Sequence, residues 1–360
     1  MHHFSRALCA TTALFGSECQ DRRVLVSENA SETAFANHQA KFGLNYKTKE
    51  EHRFRKAIFE SHGRQIDQIN KEEKDFKLVR NKFATWTDEE IQDMLGKRGG
   101  PETENPPEPE ESGRLLKGKP TCGTKRTPPC PDDNDGGDGP TDEATVDWRT
   151  TGSVSPVKDQ GGCGSCWAFG ATTAIESAYH IKTGTLYHLS EQQLVDCDTS
   201  CYGCSGGWAV NSMNYARRNA LVLDSDYSYR GRDQNCQVAG KTGKVKTTNV
   251  VTLEVNSVSA MKTALDKGPI AMGIAAGNSY VMYYESGIIN TTRCGKNARI
   301  DHDLTAIGYG VENGQEYWLI QNQWGTDWGD RGFMKIAAKE NHYGICKVQM
   351  DNHYAEVMTA

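Results

Sequence analysis

The sequence predicts an α+β protein of two lobes, preceded by a separate helical segment. Three observations carry this. From Thr141 onward, helical segments come first and β-type segments follow, the order expected of an α+β unit. Residues 28–95 are charged, free of Cys and Pro, and place apolar residues at helical spacing. Residues 96–140 are rich in Pro, Gly and Asp and cannot bury a core. A chain of 360 residues suits one catalytic-sized unit of ~220 residues plus an accessory segment.

Taken in order, Arg6 precedes a mildly apolar stretch, residues 7–15, and 1–18 is read as a weak secretory signal. The competing readings are an unstructured start or a misassigned initiator methionine. A first helix is expected over 33–42. A longer one is expected over 49–73, with Phe54, Ile58, Phe59, Ile66 and Ile69 as its apolar positions. Residues 75–83 read as a short strand. Thr87 and Glu90 then form a capping box that opens another helix. The stretch 96–140 reads as an exposed linker, the kind of segment that proteases cut. Cys122 and Cys130 inside it are placed to close a local loop.

Beyond the linker, a helix is expected from Ser165 or Cys166 to about residue 182. A short one opens after the cap Ser190, and a third covers 208–220. Strands are expected over 270–275, 304–309, 316–321 and 332–336, separated by Gly-rich turns.

The net charge of −6 and the lack of a basic stripe argue against a nucleic-acid partner. No apolar run approaches the ~20 residues that span a bilayer. Twelve cysteines, eight of them between Cys163 and Cys346, point to an oxidising compartment. The sequons Asn29-Ala30-Ser31 and Asn290-Thr291-Thr292 agree with a secretory route.

Chemistry concentrates in Gln160-Gly161-Gly162-Cys163-Gly164-Ser165-Cys166-Trp167-Ala168-Phe169. A thiol attacks only as thiolate, and a helix N-terminus or a nearby imidazolium lowers its pKa. The glycines, Gly164 among them, leave backbone room for a substrate. The apolar residues after Cys166 start a buried helix with that thiol at its positive end. Two other readings exist. Cys163 and Cys166 have the spacing of a redox CxxC pair, and together with Cys201 and Cys204 they have that of a four-cysteine zinc site. Neither accounts for the two segments that follow: Ile300-Asp301-His302-Asp303-Leu304, ahead of a β-type run, and Tyr317-Trp318-Leu319-Ile320-Gln321-Asn322-Gln323-Trp324-Gly325-Thr326-Asp327-Trp328-Gly329.

In these runs and their order, the chain resembles the papain family of cysteine peptidases, the cathepsin L-like group. The resemblance covers about 50–95 and essentially all of 141–360. It implies a papain-like fold with a helical left lobe and a β-barrel-like right lobe, behind a helical prodomain. It implies Cys166 as nucleophile, His302 as its proton partner, Asn322 as the residue orienting the imidazole, and Gln160 as an oxyanion donor. Trp324 should shield the His302–Asn322 bond. The resemblance pairs Cys163 with Cys204, Cys197 with Cys236 and Cys294 with Cys346, leaving Cys201 over.

For substrate, the resemblance implies backbone hydrogen bonds from Gly207 and an S2 pocket walled by Trp208, Ala209 and Gly273. Asp303 and Asp351 would bring two carboxylates there, favouring Lys or Arg at P2. The alternative is that Asp303 caps a local turn and Asp351 faces solvent.

Upstream, Glu51, Arg55, Ile58, Phe59, Ile66 and Asn70 match the family's prodomain-helix motif, with His62 where Asn is usual. Asn81 and Phe83 match its shorter motif, where Val79 and Thr85 replace Gly and Asp. The implied protein is an autoinhibited zymogen, released by acid and cut within the linker. The family peptidase needs no cofactor or metal. Its implied partners are protein and peptide substrates and its own prodomain, and it is expected to be a monomer in a lysosome-like acidic vacuole or secreted. No paired-histidine insertion appears, which favours internal cleavage over end-trimming. A catalytically silent, peptide-binding relative is the rival reading. It would require loss of one of the four site residues.

Overall fold

The computed structural model describes residues 16–96, 145–339 and 343–360. Most of the expected signal stretch 1–18, nearly all of the linker 96–140 and the Cys122/Cys130 pair lie outside the described residues.

The N-terminal segment folds as a helical unit. Helix α1 (Gly16–Phe42) is longer than the expected 33–42 helix. Helix α2 (Lys49–Glu72) starts where Thr48 Oγ1 accepts the Glu51 N–H at 3.1 Å. Its buried face is Phe59, Gly63 and Ile66, spaced by four and three residues. Phe54 lies off that stripe and is 53 % exposed, so it is not a core position. Gly63 leaves room for the Arg80 guanidinium, which would have to shift to admit a Cβ there, 1.7 Å away.

Strand β1 (Phe76–Leu78) is shorter than the expected 75–83. The chain turns away because Asn81 Oδ1 accepts the Phe83 N–H, starting a 3-10 turn over Lys82–Thr85. Asn70 on α2 holds β1 like a neighbouring strand, donating to Leu78 O and accepting from Leu78 N–H at 2.8 and 2.9 Å. Helix α3 (Asp88–Leu95) opens on the Thr87/Glu90 capping box and stops at Gly96, whose φ is +67°. Arg55 of α2 reaches across to the same Glu90 in a two-pronged ion pair.

The rest begins with β2 (Val146–Asp147) and the helical lobe: α4 (Cys166–Thr183), α5 (Glu191–Cys197) and α6 (Ala209–Arg218). There follow β3 (Val245–Thr252), α7 (Val258–Leu265), β4 (Ile270–Ile274), α8 (Ser279–Met282) and β5 (Tyr284–Ile289). Last come β6 (His302–Glu312), β7 (Gln315–Gln321), β8 (Phe333–Ala337) and β9 (Asn352–Thr359).

The strands form one sheet in the order β1-β5-β8-β7-β6-β4-β9-β3, with β2 paired to β6. This corrects the expected barrel-like lobe: the sheet does not close. One edge is taken by β1, which pairs antiparallel with β5. At the other, β3 meets the helical lobe, where Thr247 Oγ1 donates to Met213 O at 2.7 Å. Both edges are thus covered without closure.

Among the described residues, two large apolar cores result, beside a small cluster of Phe35, Phe59 and Ala84 within the N-terminal segment. One large core lies in the helical lobe around Trp167, Ile175, Leu194 and Met213. The other lies on the sheet, and Ile66, Leu78, Phe83, Ile91, Met94 and Leu95 from the N-terminal segment are part of it. That segment therefore docks by burying side chains in a shared core, as well as by strand addition.

Candidate active site

Helix α4 is buried along most of its length, as its run of Ala, Ile, Phe and Trp requires. Its first residue is Cys166, so the thiol sits at the positive end of a desolvated helix dipole. The preceding loop is held by Tyr229, which donates to Gln160 O at 2.8 Å and lies 2.7 Å from Ser165 Oγ.

His302 opens β6, and Asn322 follows the end of β7. The two strands are antiparallel neighbours in which Thr305 faces Gln321, so the register brings the two side chains together. His302 Nε2 lies 2.9 Å from Asn322 Oδ1. The fully buried Trp324 ring covers this pair, its centroid 4.7 Å from the imidazole. Trp328 and Phe83 then pack edge-on against Trp324, each at 5.1 Å.

Gln160 is fully buried and donates through Nε2 to Met94 O at 2.8 Å and to Cys163 O at 2.9 Å. Cys166 Sγ donates to Leu95 O at 3.1 Å. Gly207 N–H donates to Gly96 O at 3.1 Å. Three consecutive carbonyls of the N-terminal segment therefore occupy the amide of Gln160, the thiol and the substrate-strand glycine. Gly164 permits this approach, since a Cβ there would lie 2.6 Å from Gly96 Cα. Gly207 is equally crowded: a Cβ would meet the Trp167 ring at 2.6 Å and Cys201 Sγ at 2.7 Å.

The residues expected to wall S2 fall in two places. Gly273 lies against Asp351, where an added Cβ would approach Asp351 Oδ2 to 3.0 Å and Ile300 Cγ2 to 3.0 Å. Asp351 Oδ1 is 2.6 Å from His353 Nε2. Asp303, 2 % exposed, instead turns to the start of α6, its Oδ2 accepting the Ala209 N–H at 3.3 Å. Trp208, next to Ala209, is half-buried.

Cys163 is bonded to Cys204, Cys197 to Cys236 and Cys294 to Cys346. The first bond takes one thiol from each CxxC run, which removes both the redox-pair and the four-thiolate readings. Cys201 is a free, buried thiol, and burial pushes its pKa up to about 12.

Sequence reasoning missed Gln323. Its Nε2 donates to Asp303 O at 2.7 Å and lies 3.3 Å from His302 Nε2. Its position between Asn322 and Trp324 was the available signal. It also missed Met94, Leu95 and Gly96 as the cleft's occupants. Their only local mark is the glycine that ends α3.

Among the described residues, no helix is long and apolar enough to cross a membrane. Residues 143–356 match the papain family cysteine protease model, and 35–91 match the cathepsin propeptide inhibitor domain (I29). The digestive cysteine proteinase 1 of Homarus americanus is 35 % identical over 338 residues, 91 % of this chain and 96 % of that one. The cathepsin L-like proteinase of Phaedon cochleariae is 35 % identical over 332 residues, 89 % and 92 % of the two chains. The structure of digestive procathepsin L2 from Tenebrio molitor larval midgut superposes with a TM-score of 0.72 at 29 % identity, over 90 % of this chain and 99 % of that one. A recombinant stem bromelain precursor gives 0.72 at 28 % identity, over 91 % and 98 %. The chain belongs to the papain family of cysteine proteases and carries, ahead of the protease domain, the cathepsin propeptide inhibitor domain.

Proposed function

We propose that Cys166, His302, Asn322 and Gln160 are the catalytic set of a cysteine endopeptidase whose own segment, residues 28–95, holds it inactive. The observation that carries this reading is the pair of contacts from Leu95 O to Cys166 Sγ and from Met94 O to Gln160 Nε2. The groups that would attack a peptide carbonyl and hold its oxyanion are both engaged by peptide backbone that is not being cut.

The chemistry follows from the geometry. The helix dipole and an imidazolium on His302 favour thiolate at Cys166. The thiolate adds to the scissile carbonyl, and the oxyanion is held by Gln160 Nε2–H and the Cys166 N–H. His302 gives its proton to the leaving amine, and a thioester forms as the C–N bond breaks. Water then attacks the thioester, with His302 taking its proton, and the acid product leaves. Asn322 keeps the imidazole aimed without placing a negative charge beside it, under the cover of Trp324.

A substrate lays its P2 residue against Gly207, on the N-terminal side of the scissile bond. Here the residue beside Gly207 is Gly96, on the C-terminal side of Leu95. The inhibitory segment therefore runs opposite to a substrate, which supports its resistance to cleavage.

Acid weakens the carboxylates that dock residues 28–95, cleavage falls within 96–140, and the peptidase unit from 141 is released. The compartment is an acidic vacuole or a secretory fluid, as the digestive proteinases among its relatives suggest. The enzyme acts on protein and peptide substrates as a monomer. The test is hydrolysis of a fluorogenic dipeptide after incubation at about pH 4.5 with reductant, beside Cys166→Ala. Activity that grows with loss of the segment and is absent in the variant is expected. Equal signals in both would overturn the assignment of the nucleophile.

A further inference from the structure

Beside Trp324, a second contact ties the inhibitory segment to the cleft. Lys82 Nζ lies 2.6 Å from Asp159 Oδ2 and 3.8 Å from Asp327 Oδ1. Asp159 immediately precedes Gln160, and its backbone pairs with Trp324. Asp327 lies three residues beyond Trp324. Both carboxylates converge over Gly325: a Cβ there would come within 2.9 Å of Asp159 Oδ2, 3.0 Å of Asp327 Oδ1 and 3.6 Å of Lys82 Nζ. Gly325 has φ +72°, so the absence of a side chain keeps this notch open.

Asp159 Oδ1 is already used, accepting the Gly161 N–H at 2.9 Å. Oδ2 is turned to the ammonium. Lys82 is a peptide side chain already seated in the notch, so the occupant's chemistry is on view: a primary ammonium on a flexible stem. When the segment leaves, two half-exposed carboxylates face each other with that cation gone.

We propose that Asp159 and Asp327 form a leaving-group-side subsite that takes a lysine or arginine side chain of the substrate. It occupies the place that Lys82 holds in the zymogen. The inference rests on the proposed reading of Cys166 as nucleophile and His302 as the donor to the departing amine. Trp324 lies against that imidazole and Asp159 pairs with Trp324, which puts the notch on the side of the departing amine. The carboxylates attract basic substrates and repel acidic ones, and Lys82 makes the zymogen's own segment a competitor for the same charge.

The test uses the acid-matured enzyme, its active sites counted with an irreversible thiol-directed epoxide. Internally quenched peptides differ only in Lys, norleucine or Glu at P1′, P2′ or P3′. At one of these positions the expected ratio of kcat/KM for Lys over norleucine is roughly two- to fivefold, within the range for exposed ion pairs. Glu should be the poorest of the three there. The ratio should fall toward one in about 0.5 M salt and in Asp159→Asn and Asp327→Asn combined. A ratio near one at all three positions, or a lysine preference that survives both substitutions, would overturn the subsite. Absence of any cleavage together with no titratable thiol would instead overturn the peptidase reading beneath it.

Discussion

The backbone carbonyl of Leu95 accepts a hydrogen bond from Cys166 Sγ at 3.1 Å, and the residue after it, Gly96, is the one that lets it reach. Gly96 adopts φ +67°, and a Cβ there would sit 2.2 Å from Gly164 O. A left-handed conformation costs a non-glycine residue about 1–2 kcal/mol before the clash is counted. Gly96→Ala should therefore lift the segment off the thiol without touching the peptidase unit. We expect iodoacetamide to alkylate Cys166 in the intact zymogen at neutral pH about tenfold faster than in the parent. Equal rates would mean that the segment shields Cys166 by some other route.

The pH dependence of release has a readable sign at the seam near β5. Arg293 makes hydrogen-bonded ion pairs with Glu72 and Glu73 of the inhibitory segment. The Arg293 hydrogen bond holds the Glu72 carboxyl below its ordinary value of 4.5. A carboxylate lowered by docking stabilises the docked state above about 4.5 and loses that contribution as the pH falls below it. Arg293→Gln removes the contact at every pH. Its autoprocessing, followed on gels after a fixed time, should reach its midpoint at a higher pH than the parent's. The Glu90–Arg55 pair obeys the same sign inside the segment, because the Arg55 hydrogen bond lowers the Glu90 carboxyl. A midpoint unmoved in Arg293→Gln would assign the acid response elsewhere.

In the helical lobe, Lys158 Nζ lies 2.9 Å from Glu176 Oε1 and 2.6 Å from Glu191 Oε1, and both carboxylates are buried. Burial drives the Glu191 pKa upward, while on Lys158 the attraction of the two carboxylates outweighs burial and raises it. Lys158→Met would leave two buried carboxyl groups without their cation, a loss of about 3–5 kcal/mol. Replacing all three by similar-sized neutral side chains should cost far less. Thermal melts of the two variants by circular dichroism check this, and a single variant as stable as the triple would contradict it.

In the mature enzyme, Gln160→Ala should lower kcat by about 10²–10³ with little change in KM, the usual size for one lost oxyanion donor. A stopped-flow trace of acylation separates this from slow product release. A change confined to KM would remove Gln160 from the transition state and make it a binding residue.

What was legible in the sequence was local. Cys166, His302, Asn322 and Gln160 each stand inside a run whose neighbours mark it, and the Thr87 and Ser190 helix caps are local hydrogen bonds. Strands β3 and β9 went unread because much of each lies at the surface, and their Thr, Lys, Asn and Glu positions dilute the apolar alternation. The open sheet went unread because closure depends on which edges pair, and β1 and β3 are ended by partners far away in the chain. The ion pair of Lys82 with Asp159 joins residues 77 positions apart. Nothing in either one's neighbours announces the other.

The same distinction separates the two carboxylates expected in S2. Asp303 and Asp351 looked equivalent as acidic residues near one pocket. Asp303 is buried and committed to the first N–H of α6, where it balances the helix dipole. Asp351 remains beside Gly273 and Ile300, its Oδ1 turned to His353 and its Oδ2 toward the glycine. If P2 side chains enter over Gly273, only Asp351 is placed to meet a guanidinium. The expected outcome is measurable cleavage of a P2 Arg substrate and a selective loss in Asp351→Ala. In that variant kcat/KM for P2 Arg should fall by roughly two- to fivefold, against little change for P2 Leu. Asp303→Asn should instead lower thermal stability and leave the Arg-to-Leu ratio as it was. Strong exclusion of P2 Arg by the parent enzyme would mean that Asp351 stays engaged with His353 and does not meet the substrate, and that the pocket reads as apolar despite its carboxylate.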